Sequence, residues 1–122
     1  MDAQKLKAID PALEFMGGFA RATGNTAGHL HTMREAAIFT DGVVPARVKA
    51  LAAALWGISA RCEPCLKFYI LKAKELGASE QEIGEFLAIA SAMGGCVGEM
   101  WALKAFQAAK GDDQSADACC AV

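Results

Sequence analysis

Val44, Val48, Leu51, Leu55 and Ile58 recur every three or four residues in this 122-residue sequence. That spacing puts all five on one face of an α-helix, and Pro45 can open the helix because the first turn has no internal partner for the N–H that proline lacks. Three further stripes follow: Leu66, Tyr69, Ile70 and Ala73; Ile83, Phe86, Leu87 and Ala90; and Val97, Met100, Trp101 and Phe106. The punctuation between them agrees. Gly77 suits a left-handed terminator, Ser79 with Glu82 forms a capping box, and Gly94-Gly95 separates the last two stripes. Residues 62–93 therefore read as an αα-hairpin. Upstream, Asp10-Pro11 caps and starts a helix expected to weaken at Gly17-Gly18 and stop near Gly24-Asn25, and another is expected from Ala27 to Phe39. The pattern predicts an all-α bundle of about six helices in one domain, residues 1–110, followed by a flexible polar tail, 111–122, that carries Cys119 and Cys120.

Composition supports this reading. Alanine supplies 26 residues and aromatics only nine, which suits close-packed helices, since alanine loses no side-chain entropy on entering one. With glycine added and tyrosine removed, about 63% of the chain is apolar, against about 45–50% for ordinary soluble domains, so more apolar surface than a monomer covers is expected to be hidden. Twelve Lys and Arg against 14 Asp and Glu give a net charge of −2 with no basic cluster, which argues against a nucleic-acid partner. No charge-free stretch reaches the roughly 18–20 residues of a membrane span, so no membrane partner is expected. The first residues lack a secretory apolar core. The expected location is the reducing cytoplasm, where five cysteines serve as thiols rather than staples.

The richest chemistry lies in Cys62-Glu63-Pro64-Cys65, at the start of a helix. First-turn N–H groups and the helix dipole stabilise a thiolate there, and cysteines so placed have pKa values of roughly 3.5–7.5 instead of about 8.5. Cysteines three apart can also close a disulfide over one turn, giving up two electrons. Half of a zinc site or a pair of buried helix cysteines are the alternatives. His29 and His31 point to different sides of their helix, which disfavours joint metal ligation, and no metal or organic cofactor is expected. Tyr69, four residues after Cys65 and seven after Cys62, shares their face. Its phenol can orient a peroxide or a water, or it can simply lie on the core stripe.

From about Ala46 to Phe106 the chain resembles the alkylhydroperoxidase AhpD-like group of the carboxymuconolactone decarboxylase family. The landmarks are Asp41-Gly42, Lys49, Leu51, Cys62-Glu63-Pro64-Cys65, Leu76-Gly77-Ala78-Ser79, Glu82-Ile83 and Ala92-Met93-Gly94-Gly95. The resemblance implies a helical fold with a central CxxC helix, assembly into trimers or hexamers, attack on a hydroperoxide by Cys65, and resolution by Cys62. It also marks departures: the Glu and His that relay protons in peroxidase members fall at Ala50 and Tyr69, and the His often found before the second cysteine is Pro64. Glu99, placed against the CxxC helix by the same resemblance, is the candidate replacement carboxylate, with Cys96 as a third thiol at i, i+3 from it.

The leading expectation is a thiol-dependent oxidoreductase that uses Cys62 and Cys65 to reduce a small hydroperoxide or a disulfide partner. One alternative is a metal- or metalloid-binding or redox-sensing protein using Cys62, Cys65, Cys96 and the tail cysteines. Another is a lyase or isomerase acting on a small carboxylated lactone, with Arg47, Arg61 or Glu99 binding or protonating substrate.

Overall fold

The computed structural model describes residues 1–111, so Cys119 and Cys120 lie outside the described residues. Six α-helices and no strands occur among the described residues: α1 (Ala3–Ile9), α2 (Met16–Ala22), α3 (Thr26–Ala37), α4 (Ala46–Ser59), α5 (Glu63–Glu75) and α6 (Glu80–Lys110). A 3-10 segment, Pro11–Phe15, links α1 to α2. The all-α expectation holds, with two differences near the N-terminus. Asp2 caps α1 by accepting the Lys5 N–H at 2.8 Å, a helix with too few apolar residues to announce itself by period. Asp10 caps as expected, accepting from Ala12, but the chain winds as 3-10 until Met16 and then runs through Gly17-Gly18 in regular α geometry.

The core is built from α4, α5 and α6, with Leu51, Leu66, Ile70 and Ile83 fully buried and Ala50, Ala54, Ala73 and Ala105 filling the close approaches. Each buried Leu or Ile contributes about 1.5–3 kcal/mol relative to exposure, so these positions anchor α5 between its neighbours. Asp41 accepts the Ala46 N–H at 2.7 Å at the start of α4, and Lys49 Nζ donates to the Thr40 carbonyl at 2.6 Å. The capping box is present: Ser79 Oγ accepts the Glu82 N–H, and the Glu82 carboxylate accepts the Ser79 N–H, both at 3.0 Å.

Gly95 takes φ 60 and ψ −142 inside α6, a combination essentially restricted to glycine, and there the helix folds back on itself. Lys110 Nζ at its end lies 2.6 Å from Glu80 Oε1 at its beginning, and Gly98 packs on the carbonyl oxygen of Ala90. The two stripes separated by Gly94-Gly95 are thus antiparallel arms. By length and composition alone α6 is apolar enough to cross a membrane. Folded at Gly95, it presents arms of roughly 15 residues, about 22 Å each, shorter than a bilayer's hydrocarbon core of about 30 Å.

Candidate functional site

The turn from α4 into α5 builds the dithiol. Arg61 adopts a left-handed conformation, φ 56, and its N–H donates to Ile58 O at 3.0 Å while the Cys62 N–H donates to Gly57 O at 2.9 Å. These two bonds make a Schellman ending for α4, with Arg61 at the position usually held by glycine. Cys62 is simultaneously the N-cap of α5, in extended geometry, and its carbonyl accepts the Leu66 N–H at 3.0 Å. Both neighbouring helices therefore fix its backbone. Gly57 lets them meet: a Cβ there would stand 3.1 Å from the Leu66 nitrogen and 3.2 Å from Cys65 Cβ.

Cys62 and Cys65 are joined as a disulfide, with Cα atoms 5.2 Å apart, and both are half-buried. Glu63 between them forms ion pairs with Lys67 and with Lys104 of α6, each at 3.6 Å, tying the turn to the second arm. Cys65 opens into a cavity of about 140 Å³ with Tyr69, Phe68 and Pro64 on α5, Leu6 and Leu13 from the N-terminal segment, and Arg34 from α3. Tyr69 therefore does share a cavity with Cys65, and its ring stacks on Phe39 at 6.0 Å.

The structure does not bring the other expected residues to this place. Glu99 lies in a separate cleft with Gly84, Leu87, Ser91 and Phe106, between the arms of α6. Cys96 is a free, exposed thiol. The reason is helical: at about 100° per residue, Glu99 stands roughly 200° from both Val97 and Trp101, the residues that face the end of α4. Those two line a cleft of about 410 Å³ with Leu55, Ile58, Met93 and Arg61. His29 and His31 are exposed, with His31 3.7 Å from Glu35. Among the described residues no three His, Cys, Asp or Glu are grouped to hold a metal. Ala50, the position at which the resemblance marks the loss of a relay Glu, is completely buried.

Arg34 was not anticipated from the sequence. Its signal was available locally: Ala27, Leu30 and Arg34 fall on one stripe of α3, so that an arginine interrupts an apolar face. Its proximity to Cys65, thirty-one positions away, is a product of tertiary structure alone.

Residues 25–108 match the model of the carboxymuconolactone decarboxylase family. The chain belongs to that family. An uncharacterized protein of Cupriavidus necator is 38% identical over 65 residues, which make up 53% of this chain and 58% of that protein; the chain thus spans less than two thirds of its curated relative. The apo crystal structure of a carboxymuconolactone decarboxylase family protein from Legionella pneumophila has the same fold, with a TM-score of 0.77 over 88% of this chain and 96% of that one, at 24% identity. In this family member, α1 and the 3-10 segment, which supply Leu6 and Leu13 to the Cys65 cavity, precede the matched region.

Proposed function

We propose that this chain is an AhpD-like thiol oxidoreductase that reduces a hydroperoxide or a disulfide partner through Cys62 and Cys65. The observation that carries the reading is the bridged pair at the opening of α5, with Cys65 lining an apolar cavity. In the reduced protein the Cys65 thiolate attacks the terminal oxygen of a hydroperoxide. An S–O bond forms, the O–O bond breaks, and the departing alkoxide takes up a proton to leave as the alcohol. The Cys62 thiolate then attacks the resulting sulfenic sulfur, closing the disulfide and releasing hydroxide, which is protonated to water. Two electrons have passed from the thiols to the peroxide, and an external dithiol restores them by exchange.

Tyr69 shares the Cys65 cavity with Arg34 and can orient the peroxide or a water there, and Ala50 offers no proton relay. Turnover is accordingly expected to be slow. Exposed Trp56, Met93, Val97, Met100 and Leu103 support the further proposal that a second copy of the chain covers this apolar surface in a homo-oligomer.

Reaction of the reduced protein with cumene hydroperoxide, followed by thiol counting and mass spectrometry, tests the proposal. Cys65→Ser should abolish peroxide consumption, whereas Cys62→Ser should leave a sulfenic acid that dimedone traps. Unchanged consumption in both variants would remove the thiol reading. One observation favours a second, lyase-type reading: the Arg61 guanidinium lines the larger cleft without an ion pair among the described residues, where it can hold a carboxylated substrate. Lactone turnover that persists when both cysteines are serine would select it.

A further inference from the structure

Arg34 lines two cavities at once. One is the 140 Å³ space containing Cys65; the other, of about 360 Å³, is bounded by Phe15, Phe19, Ala27 and Leu30, and Leu13 and Met16 also belong to both. The two spaces adjoin along these three residues. Their walls are otherwise almost wholly apolar, and the volumes together fall within the roughly 300–1,000 Å³ range of small-molecule sites. Arg34 is half-buried, and its guanidinium has no carboxylate within ion-pairing distance among the described residues. A guanidinium held beside apolar walls favours a planar anion that it can meet with two parallel hydrogen bonds.

We infer that the cavities meeting at Arg34 form one site for an acyl-chain carboxylate, whose anionic head pairs with Arg34 and whose chain lies among Phe15, Phe19 and Leu30. The tail wall comes from α2, α3 and the 3-10 segment; the head lies at the boundary with the Cys65 cavity. A bare alkyl hydroperoxide would leave the guanidinium without a counter-charge, and an alkylammonium would be repelled by it. The carboxylate satisfies both the charge and the apolar walls. The inference deepens the proposed thiol chemistry, and rests on it, only in naming the molecules brought to Cys65. Binding itself needs no free thiol.

The test is therefore made on the protein with Cys62 and Cys65 bridged, by calorimetric titration with decanoate, decanol and decylamine. Decanoate is expected to bind at least ten-fold more tightly than either, and affinity from hexanoate to decanoate should rise about four-fold per added CH₂. Arg34→Met should bring decanoate to the level of decanol. Arg21→Met, which removes the same charge from α2 outside both cavities, should leave the preference intact. If Arg34→Met does not fold, Ala27→Glu decides the matter, because a carboxylate in the larger cavity must weaken decanoate more than decanol. Equal binding of decanoate and decanol by the parent protein, an undiminished preference in Arg34→Met, or equal losses in Ala27→Glu overturns the inference. Success here with no peroxide consumption would leave the binding site standing and the redox proposal refuted.

Discussion

Gly98 rests directly on the carbonyl oxygen of Ala90, with no room for a Cβ between them. This contact fixes how closely the two arms of α6 approach, and it acts together with the Glu80–Lys110 ion pair at the far end and the glycine-only geometry of Gly95. Since the second arm carries Lys104 to Glu63 and Trp101 to the end of α4, its placement reaches the dithiol turn.

Gly98→Ala is expected to destabilise the fold by about 1–3 kcal/mol, the usual cost of overpacking, because the obstacle is backbone and cannot swing aside. Urea denaturation checks this. Gly84→Ala is the control: a Cβ at Gly84 meets nothing within 4 Å, so the replacement should stabilise by up to about 1 kcal/mol through helix propensity. Equal stability of the two variants would contradict the close packing of the arms.

The sequence was most informative where a local rule had a local outcome. Pro45, Gly77, and the Ser79 and Glu82 box mark helix boundaries by backbone chemistry within a few residues, and the structure places those boundaries accordingly. Cys62 and Cys65 at the mouth of α5 were legible for the same reason. Glu99 and Arg34 were not, because each depends on which way a helix is turned by distant packing. The fold of α6 at Gly95 directs Glu99 toward the first arm, while the packing of α3 and the N-terminal segment over α5 brings Arg34 beside Cys65. The α1 helix leaves no periodic signal in the sequence, because Leu6 and Ile9 are too few to establish one.

Arg61 has a Cβ in a backbone conformation that costs an L-residue about 1–2 kcal/mol. Arg61→Gly should therefore raise unfolding stability by about 1 kcal/mol, less any packing its side chain provides, as measured by thermal or urea unfolding of the bridged protein. A loss of stability would mean that the side chain contributes more than the strain it imposes. Under the lyase-type reading the same variant should also lose affinity for carboxylated substrate, which separates its structural effect from a binding one.

Cys96 is exposed and lines no cavity with the bridged pair. When the fully reduced protein is treated with less than one equivalent of hydroperoxide, peptide mapping should find the Cys62–Cys65 bridge forming while Cys96 stays open to alkylation. The bridged fraction is expected to exceed Cys96 oxidation by at least about ten-fold, given the thiolate-stabilising position of the pair at a helix opening. Comparable oxidation at Cys96 would show that exposure, not the setting at α5, governs reactivity.

The acid limb of stability should include Glu82. A hydrogen bond from the Ser79 backbone, followed by the bond from Arg47 Nε at 3.1 Å, holds its carboxyl below the usual glutamate value. The folded form thus prefers the ionised carboxylate, so its contribution is fully present above the unfolded pKa of about 4.3 and is lost as pH falls through the lower folded value. Glu82→Gln should be less stable than the parent at pH 7 and approach it progressively as pH falls below about 4, as the parent's carboxylate takes up its proton in the folded state as well as the unfolded one. Unfolding midpoints measured from pH 7 to pH 3 in low salt check the convergence. A stability difference that stays constant across that range would assign Glu82 a purely steric role in the capping box, with no part for its charge or for Arg47.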